Sequence, residues 1–158
     1  MNIVESVPGA IENAAQNLDV ESDWVRKGGV YWFTSQQMDV RDLATAMNAI
    51  HARFVTITAT ELPGSDGFRL EYLWDLGGKL LGFTFHISGN SIDSIYDLCE
   101  AVDWIEREVH EGFAIDFAGR EYEPLLLRTG DKPGVNLRVA PEQDEPASGP
   151  QGQQEVAK

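Results

Sequence analysis

Two glycine turns, PGSDG at Pro63–Gly67 and the pair Gly77-Gly78, divide residues 53–88 into three runs with the two-residue period of a β-strand. Arg53–Glu61 (RFVTITATE) alternates along its length. Phe68–Asp75 places Phe68, Leu70, Tyr72 and Trp74 on one face, and Lys79–Ser88 does the same with Leu81, Phe83, Phe85 and Ile87. The pair Gly77-Gly78 suits a tight hairpin, because it allows positive φ at both central positions. Antiparallel strands with one apolar face therefore frame the fold, and that face needs a cover.

Two helical patterns supply the cover. Asp39 can cap a helix whose apolar positions Val40, Leu43, Met47 and Ile50 recur at helical spacing. After the strands, Ile92, Ile95, Leu98, Val102, Ile105 and Val109 form one apolar stripe, broken near its start and ending close to Gly112. With the β-prone run Val30–Thr34 (VYWFT), the order is strand, helix, antiparallel strands, helix. This predicts a single α+β domain, a mainly antiparallel sheet with helices packed on one face. At 158 residues a single domain is the natural size. We place it at residues 23–139, after a flexible acidic segment at 1–22 that holds one short helical pattern at Ala10–Asn17. The tail at 140–158, rich in Pro, Gly, Gln and Glu, lacks the apolar surface to offset ordering entropy and is expected to be disordered.

The formal net charge is -14. Affinity for nucleic acid comes largely from Lys and Arg displacing counterions, so nucleic acid is not an expected partner, and anionic lipid would repel the chain as well. MNIVESVPGA has no basic region ahead of an apolar core, so it does not resemble a secretory signal. No apolar run approaches the length that spans a bilayer. The expected location is cytoplasmic, reaching the membrane only through a complex.

Motifs for chemistry are absent. There is no G-x-G-x-x-G after a strand, no Walker loop and no G-x-S-x-G elbow. His51, His86 and His110 sit on different elements without metal-ligand spacing. Cys99 is the single cysteine, which cannot form an internal disulfide or hold an iron–sulfur cluster. The expectation is no catalytic, cofactor-binding or metal-ligating residue, and no cofactor. Trp24, Trp32, Trp74 and Trp104 read as core or edge residues, except that Trp104, beside the stripe, reads equally well as an interface indole.

The remaining feature is DWIEREVHEGFAIDF at Asp103–Phe117. On a helix, Asp103–Arg107 and Arg107–Glu111 are both i, i+4 pairs, and Glu106 aligns with His110. Three uses are open. A solvated ladder contributes a few tenths of a kcal/mol per exposed pair. General acid–base chemistry suits the arrangement poorly, since the flanking cation keeps the carboxylates ionised and Glu106 and Glu108 do not converge on one bond. The third use is charge buried against a partner, where breaking a pair is costly.

The same stretch, Trp104-Ile-Glu106-Arg107-Glu108 followed by Glu111, Phe113, Ile115 and Phe117, resembles the W-x-E-R-E signature of the 30-kDa subunit family of NADH:quinone oxidoreductase, respiratory complex I. That domain recurs in energy-converting membrane-bound nickel–iron hydrogenases and formate hydrogenlyases. The resemblance runs from about Val40 to Arg138 and includes the Phe117-Ala-Gly119 turn, Pro124-Leu-Leu-Leu127 and Gly134-Val-Asn-Leu137-Arg138. It departs at Gly112, usually apolar, at Ala114, usually glycine, at Arg120, commonly histidine, and at Pro124, frequently arginine. These departures lean toward the hydrogenase-type members.

The resemblance implies a non-catalytic structural subunit of a membrane-associated oxidoreductase, without cofactor. It would pack on the cytoplasmic side against the large catalytic subunit, of quinone-site or nickel–iron hydrogenase type, near the small iron–sulfur subunit. Trp104, Glu106, Arg107, Glu108, Glu111, Phe113, Ile115 and Phe117 are then structural and interface residues. A free-standing binding module that reuses the fold is the alternative.

Overall fold

The structure, a computed structural model, describes residues 24–34 and 39–139. The expectations for the segment 1–22, for a helix at Ala10–Asn17 and for the tail at 140–158 lie outside the described residues.

Five strands form the main sheet: β1 (Trp24–Lys27), β2 (Val30–Thr34), β3 (Arg53–Glu61), β4 (Gly67–Leu76) and β5 (Lys79–Ser88), in the order β1-β2-β5-β4-β3. All neighbours are antiparallel except β2 and β5, which run parallel, so the sheet is mixed. The parallel pair arises because helix α1 (Val40–Ala49), β3 and β4 all intervene between β2 and β5. Register sets the core. Tyr31 and Phe33 stand opposite Leu81 and Phe83, which stand opposite Trp74 and Tyr72, so one face carries the large apolar side chains. Phe33 stacks on Phe83 with centroids 4.9 Å apart, and Phe54 meets Trp74 edge-on at 5.3 Å. Full burial of side chains this large stabilises the fold by roughly 1.5–3 kcal/mol each.

The carboxylate of Asp39 accepts the amides of Arg41 (2.7 Å) and Asp42 (3.2 Å), which starts α1 as its sequence predicts. Val40, Leu43, Ala44, Ala46 and Met47 are its buried residues, and they join the sheet's core. The second helix, α2 (Asp103–Phe113), packs along β3 through the same core, contributing Val109 and, in part, Ile105 and Phe113.

The apolar stripe overstates α2 at its start. Ser91–Asp93 is a short strand, β6, paired parallel with β7 (Asp116–Ala118); a turn follows, then a 3-10 turn at Glu100–Val102. Ile92 and Ile95 match helical spacing yet serve a strand and a turn. The backbone there is held from outside, by Ser94 N donating to Ala118 O (2.9 Å) and by Asn48 Nδ2 donating to Leu98 O (2.9 Å). Tertiary bonds outweigh local periodicity here. Strands β1 and β7 carry no sequence prediction at all.

Candidate functional site

Helix α2 turns its charged face toward the chain that follows it, residues 118–137. Glu106, near the helix start, has no exposed surface (0%), and a carboxylate so placed needs compensation. It receives three donors: Ser94 Oγ at 2.7 Å, the Ile95 amide at 3.0 Å and Arg120 Nη1 at 2.9 Å. Arg120 extends its other nitrogen to Asp103, and its guanidinium lies near the rings of Tyr96 and Tyr122, 5.0 and 5.4 Å from their centroids. Hydrogen bonding to Arg120, then to Arg107, holds the Asp103 carboxyl below its ordinary range. Burial pulls the Arg120 pKa down, but its bonds to Glu106 and Asp103 outweigh that and raise it.

One turn on, Arg107 donates to Asp103 (3.3 Å) and to the carbonyls of Glu123 (3.0 Å) and Pro124 (3.1 Å). Glu111 closes the row. Its carboxylate accepts the consecutive amides of Leu125, Leu126 and Leu127 at 2.5, 2.7 and 3.0 Å. Burial pushes its pKa up, and the three amides more than reverse this, leaving it below the ordinary glutamate value. The end of α2 holds the next segment as well, with Gly134 N donating to Glu111 O and Asn136 N to Gly112 O, both at 2.7 Å. Gly112 makes room for Asn136, whose Nδ2 would stand 2.8 Å from an added Cβ. His110 stacks on Tyr122 at 3.8 Å, and burial pushes the Tyr122 hydroxyl up to about 12.

This arrangement revises the sequence reading in three ways. Arg107 pairs with Asp103, but Glu111 forms no ion pair with it among the described residues, because backbone amides occupy that carboxylate. Glu106 and His110 align on the helix without bonding, since His110 Nδ1 faces Ile115 O at 2.8 Å. The buried guanidinium is that of Arg120, which the sequence marks only as a departure from the family pattern, and the charges are buried against the chain's own loop. Ser94, Tyr96 and Tyr122 carry no signal in the sequence. The one usable clue to the cluster is a cation just after the Phe117-Ala-Gly119 turn.

Of the remaining predicted residues, Ile115 and Phe117 are fully buried, and Phe113 meets Phe68 edge-on at 6.4 Å. Trp104, 71% exposed, and Glu108 face outward. Ala114 occupies the left-handed region at the end of α2 (φ 53). Chemically, the cluster fastens a loop to a helix.

Among the described residues no helix is long and apolar enough to cross a membrane. No curated protein matches the chain. One similar solved structure is titled as the membrane-bound sulfane sulfur reductase, an archaeal respiratory membrane complex. The likeness has a TM-score of 0.68 at 20% identity and covers 84% of this chain and 81% of that one. Another is a trypsin-resistant fragment (1-134) of Nqo5, with a TM-score of 0.55 at 15% identity, covering 78% of this chain and 100% of the fragment. Both likenesses are of fold. Residues 33–145 match the family model described as respiratory-chain NADH dehydrogenase, 30 Kd subunit, and the chain belongs to that family.

Proposed function

We propose that this chain is a non-catalytic structural subunit of a membrane-associated, multi-subunit oxidoreductase of the energy-converting nickel–iron hydrogenase type. It packs on the cytoplasmic side against the large catalytic subunit, beside the small iron–sulfur subunit. The observation that carries this reading is the use made of the charges on α2. Asp103, Glu106, Arg107 and Glu111 all fasten the chain's own loop, while Trp104 and Glu108 next to them point outward. A loop fixed in advance beside an exposed indole offers a partner contact area at little ordering cost. Likeness to a chain from an archaeal respiratory membrane complex is in keeping with a setting other than NADH dehydrogenase proper. The family's own description favours the second reading, the 30-kDa subunit of an NADH:quinone oxidoreductase.

Purification of the tagged chain from its native host in mild detergent tests both. Recovery with a hydrogenase-like large subunit and iron–sulfur proteins supports the first. Recovery with NADH dehydrogenase components selects the second, and a free monomer overturns both.

A further inference from the structure

The described residues cover one face of the main sheet and leave the other open. On the open face a groove of about 500 Å³ crosses four strands, lined by Lys27, Val30, Trp32, Thr84, Arg69 and Glu71. Its floor is built for an indole. Trp32 lies flat over Gly82, where an added Cβ would stand 2.5 Å from Trp32 Cε3, and the indole N–H donates to Lys27 O at 3.3 Å. Val25, on the same face of β1, is 63% exposed. The lining carries two cations and one carboxylate, a local excess of positive charge in a chain of formal net charge -14.

The chain supplies a complementary segment. Residues 1–23 lead directly into β1, at the edge of this sheet. They contain Glu5, Glu12, Asp19, Glu21 and Asp23, with no Lys or Arg. Their apolar residues Val7, Ile11, Ala14, Ala15 and Leu18 recur at helical spacing, as a segment lying along an apolar surface requires. The five residues from Asp19 to Asp23 can span about 16 Å when extended, and strands are about 4.8 Å apart, so Leu18 can reach past β2 to β5.

We propose that residues 1–23 dock on the open face of the sheet. The stripe from Val7 to Leu18 lies against Trp32 and Val30, and the acidic side chains face Lys27 and Arg69. The inference stands independently of the oxidoreductase reading.

The test uses the isotope-labelled full-length chain with a nitroxide at Gln16→Cys, opposite the apolar stripe, in a Cys99→Ser background. Docking removes most of the intensity of the Trp32 indole and the Gly82 and Thr84 amide resonances, while the Met47 amide on the covered face keeps its intensity. Three outcomes overturn the proposal. One is no loss at Trp32, and another is loss centred on α1 or α2. The third is loss that also appears when spin-labelled, isotope-free chain is mixed with isotope-labelled, nitroxide-free chain, which means a second copy fills the groove.

Discussion

Arg120 Nη1 stands 2.9 Å from Glu106 Oε2, with the arginine side chain 7% exposed and the glutamate 0%. The two residues belong to different segments, one at the start of α2 and one beyond β7, so this pair ties the helix to the chain that leaves it. Removing one member strands the other as a buried, uncompensated charge. Arg120→Ala is therefore expected to lower stability by about 3–5 kcal/mol. Arg107→Ala loses a more exposed side chain that binds carbonyl oxygens and Asp103, and about 1–2 kcal/mol is expected. Urea unfolding of the two variants under one buffer gives the comparison, and equal losses would contradict the ranking.

Glu111 fixes the loop at Leu125–Leu127 through charge-assisted bonds. Glu111→Gln keeps the shape but places an NH₂ group where an acceptor is needed, at an expected loss of about 1.5–3 kcal/mol. Hydrogen exchange should accelerate at the amides of Leu125, Leu126 and Leu127, while the β4–β5 pairing stays protected.

The same carboxylate sets an acid limb. Glu111 and Asp103 have folded-state pKa values below their ordinary 4.5 and 3.8. A depressed carboxyl binds protons less readily folded than unfolded, so its contribution is complete above the ordinary value and is lost as pH falls through the depressed one. The urea midpoint should change little from these groups at neutral pH and fall below about pH 4. In Glu111→Gln the fall should be shallower.

Ala114 holds φ 53 at the end of α2, a conformation in which a Cβ is crowded. Ala114→Gly relieves that crowding, and the gain exceeds the added freedom of the unfolded chain. An increase in stability of about 0.5–1 kcal/mol is expected, seen as a higher melting temperature.

Trp104 separates folding from assembly. At 71% exposure, Trp104→Ala should leave the stability of the isolated chain within about 0.5 kcal/mol. In the native host the same variant should lose recovery of its partner subunits, as an exposed aromatic anchor would. Undiminished recovery would place the interface elsewhere.

Much of the architecture is determined by the sequence alone. Alternation in Arg53–Ser88 and the two glycine turns specify the meander, because a period of two admits only one buried face. Asp39 and the spacing of Val40, Leu43 and Met47 specify α1 by local capping and periodicity. These are short-range effects, and short-range signals are legible in one dimension. The W-x-E-R-E stretch likewise identifies the family without any coordinates.

Only the tertiary structure decided what the charges do. Arg107 and Glu111 satisfy helical spacing as a pair, yet three backbone amides from fourteen to sixteen residues away occupy Glu111. Arg120 reaches Glu106 across the turn that follows β7, and Ile92 and Ile95 leave the helical stripe because β6 finds its partner in β7. In each case the deciding bond joins residues distant in sequence, and its strength comes from burial, which spacing along the chain does not encode.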